Sequence, residues 1–112
     1  MKYYSTNKKV ENVSLQEAVV KGLAEDKGLF MQEQIPQLDK QFFEHIDEFS
    51  FQEIAFEVAK ALFGDDVEVE SLKQIVFETL NFDVPLVAVE NNIYSLELFH
   101  GPTLAFKDVG AR

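Results

Sequence analysis

Residues 50–64 leave the chain few options besides an amphipathic helix packed on an apolar partner. Phe51, Ile54, Ala55, Val58, Ala59, Leu62 and Phe63 stand at offsets of 0, 3, 4, 7, 8, 11 and 12. At 3.6 residues per turn those offsets make one continuous stripe. The ends are marked as well. Ser50 with Glu53 forms a capping box, Phe49 is placed to staple onto Ile54, and Gly64 supplies a stop. A phenylalanine-rich stripe at this spacing reads as core, not as a cofactor pocket.

Shorter helices flank it. Ser14 and Glu17 make a second capping box ahead of Leu15, Ala18, Val19 and Leu23, with Gly22 and the polar run Glu25-Asp26-Lys27-Gly28 closing that helix. Asp39 is placed to cap a short helix holding Phe42, Phe43 and Ile46, and Ser71 with Gln74 to open one that buries Leu72, Ile75, Val76 and Leu80. Asp65, Asp66, Glu68 and Glu70 precede this last helix. Carboxylates there suit the positive end of the helix dipole, which outweighs a metal-site reading. Met1–Thr6 and Leu29–Met31 read as short strands, with Asn7–Asn12 a loop and Ile35-Pro36 a turn.

Beyond Pro85 the period changes. Leu86–Val89 and Ile93–Leu98 suit two strands joined at Asn91-Asn92, residues that tolerate the positive φ of a tight turn. The predicted fold class is therefore α+β: a helical region with short strands over 1–84, then from residue 85 a β-hairpin that leads into a turn and a helix.

Bulk composition excludes several functions. The 112 residues carry a net charge of −10, which opposes nucleic acid or an anionic membrane as partner. Without cysteine there is no disulfide and no thiolate chemistry. No stretch reads as a signal peptide or a membrane span, so a cytoplasmic protein is the default expectation.

The chemistry concentrates in the turn after the hairpin, where Lys107 follows Gly101-Pro102-Thr103 among Phe99, Leu104 and Phe106. Burial beside apolar groups disfavours the ammonium and frees a neutral amine to attack a carbonyl. Thr103 as helix cap would put Lys107 in the first turn, near backbone N–H groups that attract an anion. The Asp108 carboxylate would oppose this if it faced the amine. His100 is placed to touch a ligand or to fix the turn through a backbone group, and His45 lacks a second ligand at metal spacing. No Ser/His/Asp arrangement, carboxylate pair or phosphate-binding glycine loop is present. On spacing alone Lys107 reads more readily as a surface residue, as in a small acidic interaction module.

The run Glu97-Leu98-Phe99-His100-Gly101-Pro102-Thr103-Leu104-Ala105-Phe106-Lys107-Asp108-Val109-Gly110 resembles the lysine segment of the threonine synthases. Met1–Thr6, Ser14–Ala18, Gly22-Leu23-Ala24 and Gly28–Met31 are similar to that family's N-terminal domain, so the resemblance spans nearly the whole chain. It implies a pyridoxal-phosphate enzyme of α/β architecture, a carbon–oxygen lyase that converts O-phosphohomoserine and water to threonine and phosphate. Lys107 would be its catalytic residue, forming the Schiff base with pyridoxal 5'-phosphate, with Phe106 packed close to the cofactor. No metal is implied. Residues 1–84 would be the N-terminal domain and 85–112 the start of the catalytic domain, whose remainder would be a partner of this segment. Arg112 stands five residues beyond Lys107, ahead of any phosphate loop. An N-terminal fragment, inactive alone, is thus expected, and another pyridoxal-phosphate lyase is the alternative. Two positions depart from the family pattern: Lys27 stands where a small residue is expected, and Gln32 where proline is usual.

Overall fold

The computed structural model of the chain describes residues 1–110. Arg112, on which the expected break in the catalytic domain falls, lies outside them. The order is β1 (Tyr3–Ser5), α1 (Leu15–Lys21), β2 (Phe30–Gln32), α2 (Lys40–Glu44), a 3-10 turn (Ile46–Glu48), α3 (Phe51–Phe63), α4 (Val69–Thr79), β3 (Leu86–Glu90), β4 (Ile93–Leu96) and α5 (Lys107–Gly110). Five helices and two small antiparallel sheets make the α+β fold expected from the sequence.

The centre is the α3–α4 helical hairpin. Ser50 and Glu53 form the full capping box, the Ser50 amide donating to Glu53 Oε2 at 2.7 Å and the Glu53 amide to Ser50 Oγ at 3.3 Å. The Ser50 amide foremost, and after it the Ser50 hydroxyl donating to the same oxygen at 2.7 Å, hold the Glu53 carboxyl below its ordinary range. Leu72 and Val76 of α4 are buried, and Gln52 Nε2 of α3 donates to the Phe77 carbonyl of α4 at 3.0 Å. Burial of those two side chains stabilises by roughly 1.5–3 kcal/mol each.

The start of α4 differs from expectation, whereas Gly64 does end α3. The α4 helix opens at Val69, because Glu68 Oε1 and Oε2 accept from the Glu70 and Ser71 amides at 3.0 and 2.8 Å and so cap it before Ser71 can. Gly64 has right-handed φ −63°, and glycine is needed there for room: a Cβ would stand 2.5 Å from the Lys60 carbonyl oxygen. Phe49 stacks on Phe42, ring centroids 5.8 Å apart.

The N-terminal strand is strapped to this hairpin. β1 pairs with β2 in the register Tyr3 with Gln32 and Ser5 with Phe30. The terminal amine of Met1 pairs with Asp66 Oδ1 at 2.9 Å, and Gln32 Nε2 donates to the Leu62 carbonyl at 2.7 Å. The acidic run thus divides into a partner for the N-terminus and a helix cap. In α1, Ser14 Oγ accepts from the Glu17 amide at 3.2 Å, while the Glu17 carboxylate turns to Lys21 at 2.9 Å. Ala18 is buried, but Val19 and Leu23, expected on the same inner face, are exposed.

Next to β1, Ser5 is fully buried. Its hydroxyl donates to Asp26 Oδ1 at 2.6 Å, and the same carboxylate accepts from the Gly28 amide at 3.0 Å and the Lys9 amide at 3.0 Å. The Ser5 hydroxyl is the largest cause of a lowered Asp26 carboxyl, ahead of an opposing desolvation and the two amides. Lys27 within this turn has φ 67°, a conformation that favours glycine, which gives the family's small residue there a physical reason.

The β3–β4 hairpin forms as expected, with Asn92 at φ 63° and a register shift between Ala88 and Glu90. β4 ends at Leu96, short of the expected Leu98. Every residue of β3 is exposed, as are Ile93, Tyr94 and Leu96. Apolar residues on both faces of a hairpin need cover from another element.

Candidate functional site

From β4 the chain runs through Glu97–His100 into a turn closed by the Leu104 amide donating to the Gly101 carbonyl at 3.0 Å. Leu104 holds φ 57°, a left-handed conformation that costs a residue with a Cβ about 1–2 kcal/mol. The Asp108 and Val109 amides then donate to the carbonyls of Ala105 and Phe106, both at 3.2 Å, and α5 opens at Lys107.

Thr103 is not the cap of this helix. Its amide and its hydroxyl both donate to Asp108 Oδ2, at 2.9 and 2.8 Å, so neither remains to hold an anion. Asp108 is 5% exposed and lies against Gly101, where a Cβ would fall 2.5 Å from Asp108 Cβ and 2.6 Å from Oδ2. Glycine at 101 is therefore a matter of space. Residues adjacent on a helix do not face each other, and Asp108 points inward while Lys107 is exposed.

Lys107 has no ion-pair partner among the described residues. Around it Phe99, Leu104 and Phe106 are also exposed, Phe106 at 67%. The apolar burial expected to discharge the amine is not supplied by these residues. His100 neither fixes the turn through a backbone group nor stands free. Its Nε2 lies 2.6 Å from Glu97 Oε2, and its ring packs on Phe99 at 4.7 Å between centroids. His45 lies far off in sequence, 2.9 Å from Glu48 Oε1. Among the described residues no three acidic or histidine side chains gather to hold a metal ion.

The expected helix does open at Lys107, but Asp108, weighed from the sequence only as a carboxylate facing the amine, is turned to Thr103 and Gly101 instead. The available signal was the five-residue separation of Thr103 from a carboxylate, with the glycine directly before Pro102.

Fold and turn define an α+β chain that presents a single lysine amine on an apolar-edged turn after a hairpin. Residues 2–80 match the family model described as the threonine synthase N terminus. The chain belongs to the threonine synthase family. It is 41% identical over 112 residues to threonine synthase from Haemophilus influenzae, covering 100% of this chain and 26% of that protein. With the Schizosaccharomyces pombe enzyme it shares 43% identity over 113 residues, covering 96% and 22%. The crystal structure of Escherichia coli threonine synthase superposes with a TM-score of 0.87 at 35% identity, covering 96% of this chain and 25% of that one. The Brucella melitensis threonine synthase, solved with PLP bound, gives 0.87 at 35% identity, covering 97% and 25%. The chain thus spans about a quarter of the length of the relatives it matches.

Proposed function

We propose that this chain is the N-terminal part of a threonine synthase, a pyridoxal-phosphate-dependent carbon–oxygen lyase that converts O-phosphohomoserine and water to threonine and phosphate. The observation that carries the reading is the agreement with threonine synthases of the whole chain in sequence and of 96% of it in fold. The cofactor fits what the turn offers. An aldehyde requires an amine that is reachable and not committed to a carboxylate, and Lys107 meets both conditions while Asp108 is engaged by Thr103.

In this reading Lys107 holds the cofactor covalently and Phe106 packs beside it. Bound there, the cofactor supplies an electron sink for the substrate carbon that loses its proton. Lys107 Nζ would be the group that takes and returns protons at the substrate as phosphate leaves and water adds. The apolar side chains of Phe99, Leu104 and Phe106 exclude water from that nitrogen once the rest of the catalytic domain covers them. Domain boundaries at 1–84 and 85–112 go with this reading, supported by the extent of the family match and by the uncovered faces of β3 and β4. So does the cytoplasmic location expected above, which fractionation of cells making the full-length protein tests.

The deciding experiment is a substrate screen on the full-length protein. Threonine and phosphate should appear together from O-phosphohomoserine. Turnover of serine or threonine with none of the phosphate ester would move the chain to another pyridoxal-phosphate lyase. The 112 residues alone should bind the cofactor weakly and turn nothing over.

A further inference from the structure

We propose that Asp108 is a positioning residue that aims Lys107 by clamping the preceding turn, and is not the counter-ion of the lysine amine. The inference rests on the reading of Lys107 given above and extends it to residues for which neither the fold nor the family match assigns a role.

Asp108 is 5% exposed and has no cationic partner within ion-pair distance among the described residues. An uncompensated buried carboxylate is costly, so the donors it does have set its position. Both come from Thr103, through an amide at 2.9 Å and a hydroxyl at 2.8 Å, and hydrogen bonds to a charged acceptor are the strong kind.

The second observation is strain at the site. Leu104, between the two clamped residues, holds φ 57°. A bulky residue stays in that region only where its surroundings over-determine it. The Thr103–Asp108 bonds close across Leu104, and the missing Cβ at Gly101 lets the carboxylate approach. Released from the clamp, Leu104 would relax toward negative φ and rotate the start of α5, carrying Lys107 with it.

Adjacent residues diverge around a helix, which places the Asp108 carboxylate and the Lys107 amine on different sides. Two roles for Asp108 therefore separate cleanly. A counter-ion stabilises the ammonium, and its removal would let Lys107 lose its proton at lower pH. A clamp leaves the proton equilibrium alone and governs how often the amine is correctly presented.

The experiment uses the full-length enzyme with pyridoxal phosphate, trapping by borohydride, and mapping of the modified peptide at subsaturating cofactor across a pH series. Thr103→Val and Asp108→Asn should each lower the trapped fraction at Lys107 and weaken cofactor binding about tenfold. Thr103→Val removes the hydroxyl bond alone and Asp108→Asn the charge that strengthens both bonds, so the double variant should cost less than the sum of the two singles. Thr103→Ser keeps both donors and should behave as wild type, and the pH midpoint of trapping should not move in Asp108→Asn. The exposed Thr103→Val change carries the test if Asp108→Asn fails to fold. A downward shift of that midpoint with Thr103→Val behaving as wild type would overturn the clamp alone. Wild-type label on a lysine other than Lys107 would overturn the site assignment and the clamp together.

Discussion

Gly28→Ala probes the densest contact in the N-terminal region. A Cβ at residue 28 would stand 2.0 Å from Ser5 Oγ and 2.8 Å from the Asn7 backbone nitrogen. Neither neighbour can yield cheaply, because Ser5 is 0% exposed and its hydroxyl is committed to Asp26 at 2.6 Å. Two effects compete. Replacing glycine by alanine removes unfolded-state freedom and stabilises by about 0.4–1 kcal/mol. Overpacking of this kind costs about 1–3 kcal/mol. The steric effect wins, for a net loss of about 1–2 kcal/mol in the stability of the 5–9 and 26–29 segments. Hydrogen exchange followed by mass spectrometry on the full-length protein reads this locally, as exchange of the Thr6, Lys9 and Gly28 amides roughly 5- to 30-fold faster. In a Ser5→Ala background the 2.0 Å contact is gone, and the cost of Gly28→Ala should fall below about 1 kcal/mol. Equal costs in both backgrounds would refute the argument that Ser5 and residue 28 share one space.

Lys27→Gly should stabilise the same turn by up to about 1 kcal/mol, since φ 67° suits glycine, and Lys27→Ala should not reproduce the gain; urea midpoints decide between them. Leu72→Ala removes a buried side chain from the α3–α4 seam and should cost about 2–4 kcal/mol, against less than about 1 kcal/mol for the exposed Ile75→Ala on the same helix, both read from denaturation curves. Asp26 has a lowered carboxyl in the fold, so its stabilising effect is complete above the ordinary carboxylate value and is lost as pH falls through the lowered one. Exchange protection at Lys9 and Gly28 should hold from neutrality to about pH 4, decline below it, and lose that acid dependence in Asp26→Asn.

Local chemistry made much of this fold legible. Ser50 with Glu53 and the stripe from Phe51 to Phe63 identified α3 to within a residue, because a cap and a period of 3.6 act over a few positions only. Asn91-Asn92 between two apolar runs likewise announced the β3–β4 hairpin. What resisted reading depends on partners distant in sequence or on atoms within a crowded run. Glu68 was one of four carboxylates, and only its side-chain geometry shows which one caps α4. Gln32 departs from the family's proline, and its use is visible only through the carbonyl of Leu62, thirty residues away. In the lysine turn, the inward orientation of Asp108 goes with a positive φ at Leu104, which no propensity of leucine suggests. Spacing left Lys107 open between a buried amine and a surface residue, and its apolar neighbours Phe99, Leu104 and Phe106 are exposed with it instead of enclosing it.

Peptide mapping of the saturated, wild-type full-length enzyme after borohydride reduction bears most directly on the claim that Lys107 is the working amine. The cofactor's mass should be found on one peptide, attached to Lys107. Attachment to a different lysine, or no attachment while the enzyme turns over O-phosphohomoserine, would contradict it.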